Sequence, residues 1–405
     1  MLWWNQKSRR ARMLGWITVP VGLSAALVLT GSPAWAGWDP NDLTERSGAP
    51  LATSAPMGYW TSLPNEDPHA RVVYRTAEAH IEELSVTAST SWAPKDLFYL
   101  TGAPAAASAP SGQFNTLAPM PPTARVDYLT TDGHIEELFN EGEGWKLADL
   151  TQIAGAPPAA SAPMAFTTYE QSSNPIGRVV YRTPEGRIEE LEVTGSTPWV
   201  ALDLNSKTGA PTAASAPYGY YDSASFGPRV LYTTDKGQVI DMDTASGRWT
   251  YTDLTATRPG TLLGVGTPAG YYSNLTTEGL TTRIAYRTTE GHIAEFTWNW
   301  NRLWSYQDLT SETQAPLAGN DPFGYETRVS NDDGARVVYP TASGAIEALS
   351  VGPTLKWTRS MISSDPAAAS RPSEYTTGSP INSGSVDRVV FETTSGDIEE
   401  LSLAW

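Results

Sequence analysis

The segment RVVYRT, residues 71–76, recurs in related form six more times, and this repetition decides the fold. The copies are RVDYLT from Arg125, RVVYRT from Arg178, RVLYTT from Arg229, RIAYRT from Arg283, RVVYPT from Arg336 and RVVFET from Arg388. Consecutive copies lie 54, 53, 51, 54, 53 and 52 residues apart. A repeat of this length is typical of solenoids and propellers, in which each repeat is one supersecondary unit.

Each repeat contains the signals of four short strands. A turn such as Asp132-Gly133 follows the RVVYRT segment, and a second alternating run such as HIEELSV from His80 follows the turn. A Trp-x-x-x-Asp-Leu stretch and an Ala/Pro-rich link come next. The link leads to a strand around an aromatic residue: Tyr59, Phe114, Phe166, Tyr220, Tyr271, Tyr325 or Tyr375. Four strands in about 53 residues predict an all-β, seven-bladed β-propeller.

The two ends of the repeat region complement each other. The seventh unit stops at residues 401–405 and lacks its fourth strand, whereas residues 38–44, WDPNDLT, match that missing strand. We therefore expect the segment near residue 40 to pair into the last blade and to close the circle, which would remove exposed sheet edges.

Residues 1–36 have the features of a secretory signal peptide. Lys7, Arg9, Arg10 and Arg12 precede an almost wholly apolar run at 14–30, and Ala34-Trp35-Ala36 has the small-x-small form of a cleavage site. The sequence therefore predicts an exported protein cleaved after about Ala36, with residues 37–405 as one propeller domain. It does not separate the general route from the twin-arginine route. No other stretch is apolar enough to suggest a membrane span.

The charge and the cysteine content argue against several classes of partner and of site. The chain has 27 basic and 44 acidic residues, a net charge of −17, and removal of the signal would leave −21. Such an acidic chain without a basic block is not expected to bind nucleic acid. It has no Cys, so disulfides, thiolate nucleophiles and Cys-ligated metals are excluded.

Two columns of the aligned repeats could form polar sites. The Arg that opens RVVYRT is present in all seven units, and twelve residues later six of the seven units carry an acid. The resulting pairs are Arg71 with Glu83, Arg125 with Glu137, Arg178 with Glu190, Arg229 with Asp241, Arg283 with Glu295, and Arg388 with Glu400. Such a pair can be a structural ion pair, or it can offer donors and acceptors to sugar hydroxyls. The sixth unit has Arg336 but Ala348, so its pocket is expected to be inactive.

This combination of Arg-Val-x-Tyr, a Gly-containing turn, an acid at twelve residues and a following Trp resembles the blades of the fungal and bacterial fucose-binding lectin propellers. The resemblance covers all seven units. It implies that the Arg and acid of one blade bind the sugar's hydroxyls and ring oxygen, while aromatic residues of the adjacent blade pack on its apolar face. It therefore implies that the six Arg–acid pairs are carbohydrate-binding residues.

The aromatic columns single out one pocket. The resemblance implies an aromatic residue three positions after the acid, and only Trp298 satisfies this; Val86, Asn140, Val193, Thr244, Val351 and Leu403 stand in the other units. The Trp before the outer strand recurs in every unit, as Trp38, Trp92, Trp145, Trp199, Trp249, Trp304 and Trp357. This second Trp can stack on sugar or simply pack against the next blade. The best candidate pocket therefore lies between units four and five, with Arg229, Asp241, Trp298 and Trp304.

Other polar columns have simpler interpretations. The Asp of Trp-x-x-x-Asp-Leu fits a residue that bonds turn amides. His80, His134 and His292 share one turn position and lie too far apart for a common zinc, so they are expected to be surface residues. Residues 331–334, NDDG, are interpreted as a polar hairpin tip rather than a calcium loop. We expect no metal and no cofactor.

Three functions remain open at the level of sequence. The polar features repeat almost evenly around the ring, which suits several weak, equivalent sites better than one catalytic constellation. The sequence thus favours a secreted, multivalent carbohydrate-binding protein that is not an enzyme. The alternatives are a secreted propeller that is a scaffold for protein–protein interaction and, less favoured, a glycan-active enzyme.

Overall fold

The computed structural model describes residues 37–117, 120–169, 175–195, 197–299, 303–329, 332–377 and 386–404. The predicted signal peptide at 1–36 and Asn331 of the predicted hairpin tip lie outside the described residues. The described chain is a seven-bladed β-propeller of antiparallel four-stranded sheets, as the repeat predicted.

The first three blades take consecutive strands from inside to outside. Blade 1 contains β2 (Met57–Thr61), β3 (His69–Arg75), β4 (Ile81–Val86) and β5 (Ala93–Asp96). Blade 2 contains β6 (Ser111–Asn115), β7 (Thr123–Leu129), β8 (Ile135–Asn140) and β9 (Trp145–Asp149). Blade 3 contains β10 (Met164–Thr168), β11 (Ile176–Arg182), β12 (Ile188–Thr194) and β13 (Val200–Asp203).

The next three blades follow the same order. Blade 4 contains β14 (Tyr218–Asp222), β15 (Gly227–Thr233), β16 (Val239–Asp243) and β17 (Thr250–Asp253). Blade 5 contains β18 (Gly264–Leu275), β19 (Gly279–Thr288), β20 (Ile293–Trp298) and β21 (Trp304–Asp308). Blade 6 contains β22 (Phe323–Val329), β23 (Asp332–Pro340), β24 (Ile346–Val351) and β25 (Thr358–Ser363).

Blade 7 combines both ends of the described chain. It contains β26 (Ser373–Thr377), β27 (Val386–Glu392), β28 (Ile398–Ala404) and β1 (Asp39–Asp42). The outer strand β1 pairs antiparallel with β28, with Asp39 opposite Ser402 and Asn41 opposite Glu400. This is the pairing that the sequence predicted, and its effect on stability stays a prediction.

A short helical turn follows the outer strand of six blades. The helices are α1 (Leu43–Ser47), α2 (Leu97–Thr101), α3 (Leu150–Ala154), α4 (Leu204–Thr208) and α5 (Leu309–Thr313), and Leu254–Ala256 forms a 3-10 turn. In each, the Asp of Trp-x-x-x-Asp-Leu is the N-cap and accepts a backbone N–H three residues on, so its predicted turn role is confirmed. None of the helices within the described ranges is long and apolar enough to cross a membrane.

The Ala/Pro links are anchored by the tyrosines of the RVVYRT segments. Tyr74 donates to the Pro50 carbonyl at 2.8 Å, and Tyr128 donates to Pro104 at 2.9 Å. Tyr181, Tyr232 and Tyr339 also donate to Pro carbonyls, and Tyr286 donates to the Leu262 carbonyl, at 2.6 to 2.9 Å. Each bond contributes about 0.5–1.5 kcal/mol to stability. The repeated Tyr therefore fixes the link in six blades, whereas blade 7 has Phe391 in this column.

Glycines allow the blades to approach one another closely. A Cβ on Gly58 would lie 2.1 Å from the ring of Tyr375 in blade 7, and a Cβ on Gly270 would lie 2.0 Å from the ring of Tyr220 in blade 4. Each ring of one inner strand thus lies flat on the glycine of the next blade. The same contact joins Gly112 to Tyr59, Gly219 to Phe166 and Gly324 to Tyr271.

Candidate functional site

The predicted Arg–acid pairs all form. In four of them Nη1 of the Arg lies 2.5 to 2.8 Å from a carboxylate oxygen: Arg71–Glu83, Arg125–Glu137, Arg178–Glu190 and Arg283–Glu295. Arg229 pairs with Asp241, and Arg388 pairs with Glu400. The structure thus brings together every pair that the sequence predicted, although pairing alone does not show that any of them binds sugar.

The strand register explains why a spacing of twelve residues creates the pair. Arg71 lies opposite Ser85, whereas Glu83 lies opposite Val73, so Arg and acid are diagonal neighbours on one face of the hairpin. Diagonal neighbours are within reach of a long side chain. The guanidinium therefore extends along the strand to meet the carboxylate.

A tyrosine of the inner strand is a third member that the sequence analysis missed. Tyr59 donates to Glu83 at 3.4 Å, and Tyr375 donates to Glu400 at 2.5 Å. Tyr271 makes the same bond to Glu295. The sequence signal for this tyrosine is a Gly-Tyr pair that recurs in the strand before the Arg. The glycine of that pair leaves room for the aromatic ring of the preceding blade.

Blade 2 departs from this arrangement. Gln113, not Phe114, lies opposite Arg125, so the aromatic column placed there by the sequence is displaced by one residue. Because alternate residues of a strand face opposite sides, this one-residue shift turns Phe114 away from the Arg–acid pair.

In blades 1 and 5 the guanidinium is fully engaged. Arg71 is only 1% exposed and bonds Thr61 through Nε, Glu83 through Nη1 and Glu66 through Nη2, at 2.7 to 3.0 Å. The ring of Trp145, from blade 2, lies 5.8 Å from its Cζ. This is the geometry of a buried structural ion pair covered by an aromatic residue.

Arg283 of blade 5 repeats that arrangement. It bonds Ser273, Glu295 and Glu278, and the Trp357 ring lies 5.8 Å from its Cζ. In blades 2 and 3 the paired side chains are also nearly inaccessible: Arg125, Glu137, Arg178 and Glu190. Carbohydrate binding by these four pairs stays a prediction.

An open pocket of 490 Å³ lies between blades 4 and 5. Its lining includes Arg229, Asp243 and Thr252 of blade 4 and both Trp298 and Trp304 of blade 5. The Cζ of Arg229 lies 5.8 Å from the Trp298 ring and 5.7 Å from the Trp304 ring. The structure therefore places three of the four residues predicted for this pocket on its wall.

Arg229 retains one free nitrogen. Its Nε donates to Asp222 at 2.7 Å, and its Nη1 pairs with Asp241. Among the described residues, Nη2 has no hydrogen-bond partner, although the side chain is only 3% exposed. This nitrogen is not among the enclosed atoms that lack a partner; it lies on the wall of the open pocket, so a ligand there can accept a hydrogen bond from it.

Asp241 lies behind Arg229 rather than on the wall. Its side chain is inaccessible, and Asp243, directly opposite Arg229 in the register, lines the pocket instead. Because Asp is one methylene shorter than Glu, Tyr220 does not bond it; the Tyr220 hydroxyl and Oδ1 of Asp241 both lack partners. Burial raises the pKa of Asp241 to about 7, and the neighbouring Arg229 opposes that rise.

A second open pocket, of 340 Å³, lies at the equivalent place between blades 7 and 1. Arg388, Glu400 and Asn41 line it from blade 7, and Trp92 and Val86 line it from blade 1. Val86 occupies the column of Trp298, and Trp92 occupies that of Trp304. Both members of a predicted pair therefore lie at this pocket, with Arg388 13% exposed and Glu400 1% exposed, but the pocket has one indole ring where the first has two.

In blade 6, an aspartate of the next blade takes the place of the missing acid. Arg336 pairs with Asp387 of blade 7 at 2.9 Å, and its Cζ lies 5.3 Å from the ring of Trp38. The sequence analysis identified the loss of the acid at Ala348 but missed Asp387, which stands one residue before the Arg of its own unit. The guanidinium is thus neutralised without forming the usual pair.

The three repeated histidines contact the N-cap Asp residues. The Nδ1 atom of His80 lies 2.8 Å from Asp96, and that of His292 lies 2.8 Å from Asp308. His134 lies 2.6 Å from Asp149, which raises the pKa of His134. The turn position was predicted, but the contacts were not. They add support to the N-cap rather than a metal site.

A buried Glu beside these Asp residues makes stability depend on pH. Burial first, and the neighbouring Asp second, raise the pKa of Glu82, Glu136, Glu189 and Glu399 from 4.5 to about 7. The folded state therefore binds protons more tightly than the unfolded state, so stability falls as pH rises from about 4.5 to about 7.

We expect a higher melting temperature at pH 5 than at pH 8. Replacing the four Glu residues with Gln should flatten this dependence, whereas Glu78→Gln at an exposed turn should not; an equal slope in both variants would contradict the assignment.

Fold and site together define a seven-bladed β-propeller with Arg–acid pairs and tryptophans between its blades. No family model matches the chain, and no curated protein matches its sequence significantly. The BP39L lectin from Burkholderia pseudomallei has a similar structure, with a TM-score of 0.65 and 12% identity over 87% of this chain and 96% of that one.

Fungal lectins are also among the structural neighbours. The fungal lectin from Aleuria aurantia, a six-bladed propeller, has a TM-score of 0.49 and 12% identity over 79% of this chain and 99% of that one. The Aleuria aurantia lectin is described as fucose-specific. The similarity to the BP39L lectin confirms, at the level of fold alone, the resemblance seen in the sequence.

Proposed function

We propose that this protein binds carbohydrate in the pocket between blades 4 and 5. The observation that carries the proposal is the free Nη2 of Arg229 in a pocket flanked by Trp298 and Trp304. A pyranose has hydroxyls that accept and donate hydrogen bonds and an apolar face of C–H groups. Arg229 would donate to the hydroxyls, Asp243 would accept from them, and the indole rings would pack on the apolar face.

The proposed sugar is of the fucose type, and the proposed action is binding without turnover. The resemblance of the blades to fucose-binding propellers and the similarity in fold to a bacterial lectin support this choice. The pocket between blades 7 and 1 is the second proposed site, because Arg388 is partly exposed there beside Trp92 and is paired with Glu400 at the wall. Two sites on one rigid ring would raise avidity for clustered glycans by about 10²–10⁴.

We also propose that the protein is exported, so the test uses protein recovered from the medium of the producing cells, with Gly37 expected as its first residue. Calorimetric titration with methyl α-fucoside, methyl α-mannoside and methyl β-galactoside should show heat for the fucoside, with about two sites per chain. No fucoside should be hydrolysed during the titration. Binding to none of the sugars would favour the protein-interaction scaffold, and hydrolysis would favour an enzyme.

The variant Trp298→Val distinguishes the contributions of the two pockets. It places in the pocket between blades 4 and 5 the valine that the pocket between blades 7 and 1 has at the same position, Val86. We expect the fucoside affinity of the first pocket to fall about tenfold, the loss of one aromatic contact, while the second pocket is unchanged. Tyr99→Val, at an exposed position on blade 1, is the matched control. Equal titrations for wild type and Trp298→Val would contradict the assignment of this pocket.

A further inference from the structure

A second kind of pocket lies on the axis of the ring. Each link between blades leads to a residue followed by Pro. In blade 5 this dipeptide lies within β18, and in the other six blades it lies directly before the inner strand. The residues before Pro are Ala55, Ala109, Ala162, Ala216, Thr267, Asp321 and Arg371. All seven blades contribute side chains to a pocket of 210 Å³, so it must lie where the inner strands converge.

The wall of this axial pocket is mostly apolar, with the hydroxyl residues Ser111, Tyr218, Thr267 and Ser373 and one cation. Pro56, Met57, Met164 and Phe323 are among the residues that surround it. In the part of the chain that the structure describes, Arg371 is the one charged residue on the wall. The repeated Ser-Ala-Pro element thus gives way to Ser-Arg-Pro at the last blade.

Arg371 differs from the seven arginines of the blades in its partners. Its Nε donates to the Pro322 carbonyl at 2.9 Å, and its Cζ lies 5.1 Å from the Tyr218 ring and 5.6 Å from the Phe323 ring. Its Nη2 is enclosed and has no hydrogen-bond partner. Within the described ranges Nη1 has none either. The guanidinium therefore rests on two aromatic rings without a bonded carboxylate.

The acid whose charge acts on Arg371 is hydrogen-bonded to other groups. Asp321, the corresponding link residue of blade 6, accepts from the Thr267 backbone N–H at 2.7 Å and from Nε of Arg287 at 3.2 Å. Burial lowers the pKa of Arg371, while Tyr218 and Asp321 oppose this. A desolvated cation that lacks a paired anion is unfavourable, and an anion that entered the pocket would relieve this cost.

We propose that the axial pocket binds a small organic monoanion, a carboxylate with an apolar body, against the guanidinium of Arg371. The carboxylate accepts from Nη1, which is not among the enclosed atoms, because a hydrogen bond between a guanidinium and a carboxylate is charge-assisted. The apolar body contacts the Pro, Met and Phe side chains of the wall. This site is independent of the pockets between blades and of any sugar that they bind.

Benzoate and its neutral analogue benzamide test the proposal. By calorimetry, benzoate should bind the wild-type protein with one site per chain, and benzamide should bind at least tenfold more weakly. Arg371→Met, which matches Met57 and Met164 of the same wall, should weaken benzoate binding by about 10- to 100-fold, the loss of a charge-assisted hydrogen bond. Arg371→Lys should retain part of the affinity because the charge remains.

Three results would overturn the proposal. They are no benzoate binding at millimolar concentration to the wild type, equal binding to wild type and Arg371→Met, or equal binding of benzoate and benzamide. Melting curves without ligand establish that Arg371→Met is folded. Fucoside titration of the same variant should be unchanged, so failure of the axial site and failure of the sugar site remain distinguishable.

Discussion

Replacing Arg71 with Met is expected to lower the free energy of unfolding by up to about 3–5 kcal/mol, because the buried Glu83 would lose its guanidinium partner and keep as its paired cation the more exposed Lys95, whose Nζ lies 3.8 Å away. Glu83 is inaccessible, and Arg71 supplies its two shortest contacts, at 2.7 and 2.8 Å. The measurement is urea denaturation of wild type and Arg71→Met under identical conditions, followed by tryptophan fluorescence.

The double variant Arg71→Met with Glu83→Gln controls for the cause of that loss. Removing both charges should recover most of the stability, since a buried pair replaced by groups of similar volume is often near neutral. Arg388→Met is the comparison at a pair whose arginine is more exposed, at 13%, and the loss there should be smaller. If Arg71→Met left stability unchanged and removed sugar binding, the pair would be a ligand site rather than a structural one.

Removing residues 37–45 is expected to destabilise the protein by more than about 5 kcal/mol. The deletion removes strand β1 and the buried side chains of Trp38 and Leu43. Loss of one buried Leu or Trp side chain costs about 2–5 kcal/mol. It also exposes the edge of β28 and removes the ring over Arg336. Thermal unfolding of the shortened and complete chains measures the effect, and an unchanged melting temperature would contradict a structural role for β1.

An engineered disulfide provides the complementary experiment. Asp39 and Ser402 are register partners, and the chain has no Cys that could interfere. Asp39→Cys with Ser402→Cys should raise the melting temperature under oxidising conditions and not under reducing conditions, since the bond joins two distant parts of the chain. The single variant Ser402→Cys should show no such difference.

The repeated columns made the fold predictable. Intervals near 53 residues set the number of blades, and the missing strand after residue 405 indicated where residues 38–44 would pair. The Arg–acid pairs were also predictable, because their spacing fixes diagonal positions on a hairpin whatever the surroundings. These features depend on local periodicity, which a sequence displays directly.

The openness of individual pockets was not predictable, because it depends on contacts between blades. Arg71 is enclosed since Glu66 and Trp145 approach it from outside its own pair. Arg229 keeps a free nitrogen in its pocket, where its acid is the shorter Asp241. Differences of one methylene, or of one residue in an adjacent hairpin, decide these outcomes and leave no periodic signal.

Arg336 and Asp387 form a salt bridge that crosses from blade 6 to blade 7. In an array that grows by copying whole repeats, most units are interchangeable, because each carries its own cation and anion. These two are not: a duplicated blade 6 would bring a cation without an acid of its own, and a lost blade 6 would deprive Asp387 of Arg336. Replacing either blade with a copy of another would therefore break this salt bridge, so blades 6 and 7 are complementary neighbours.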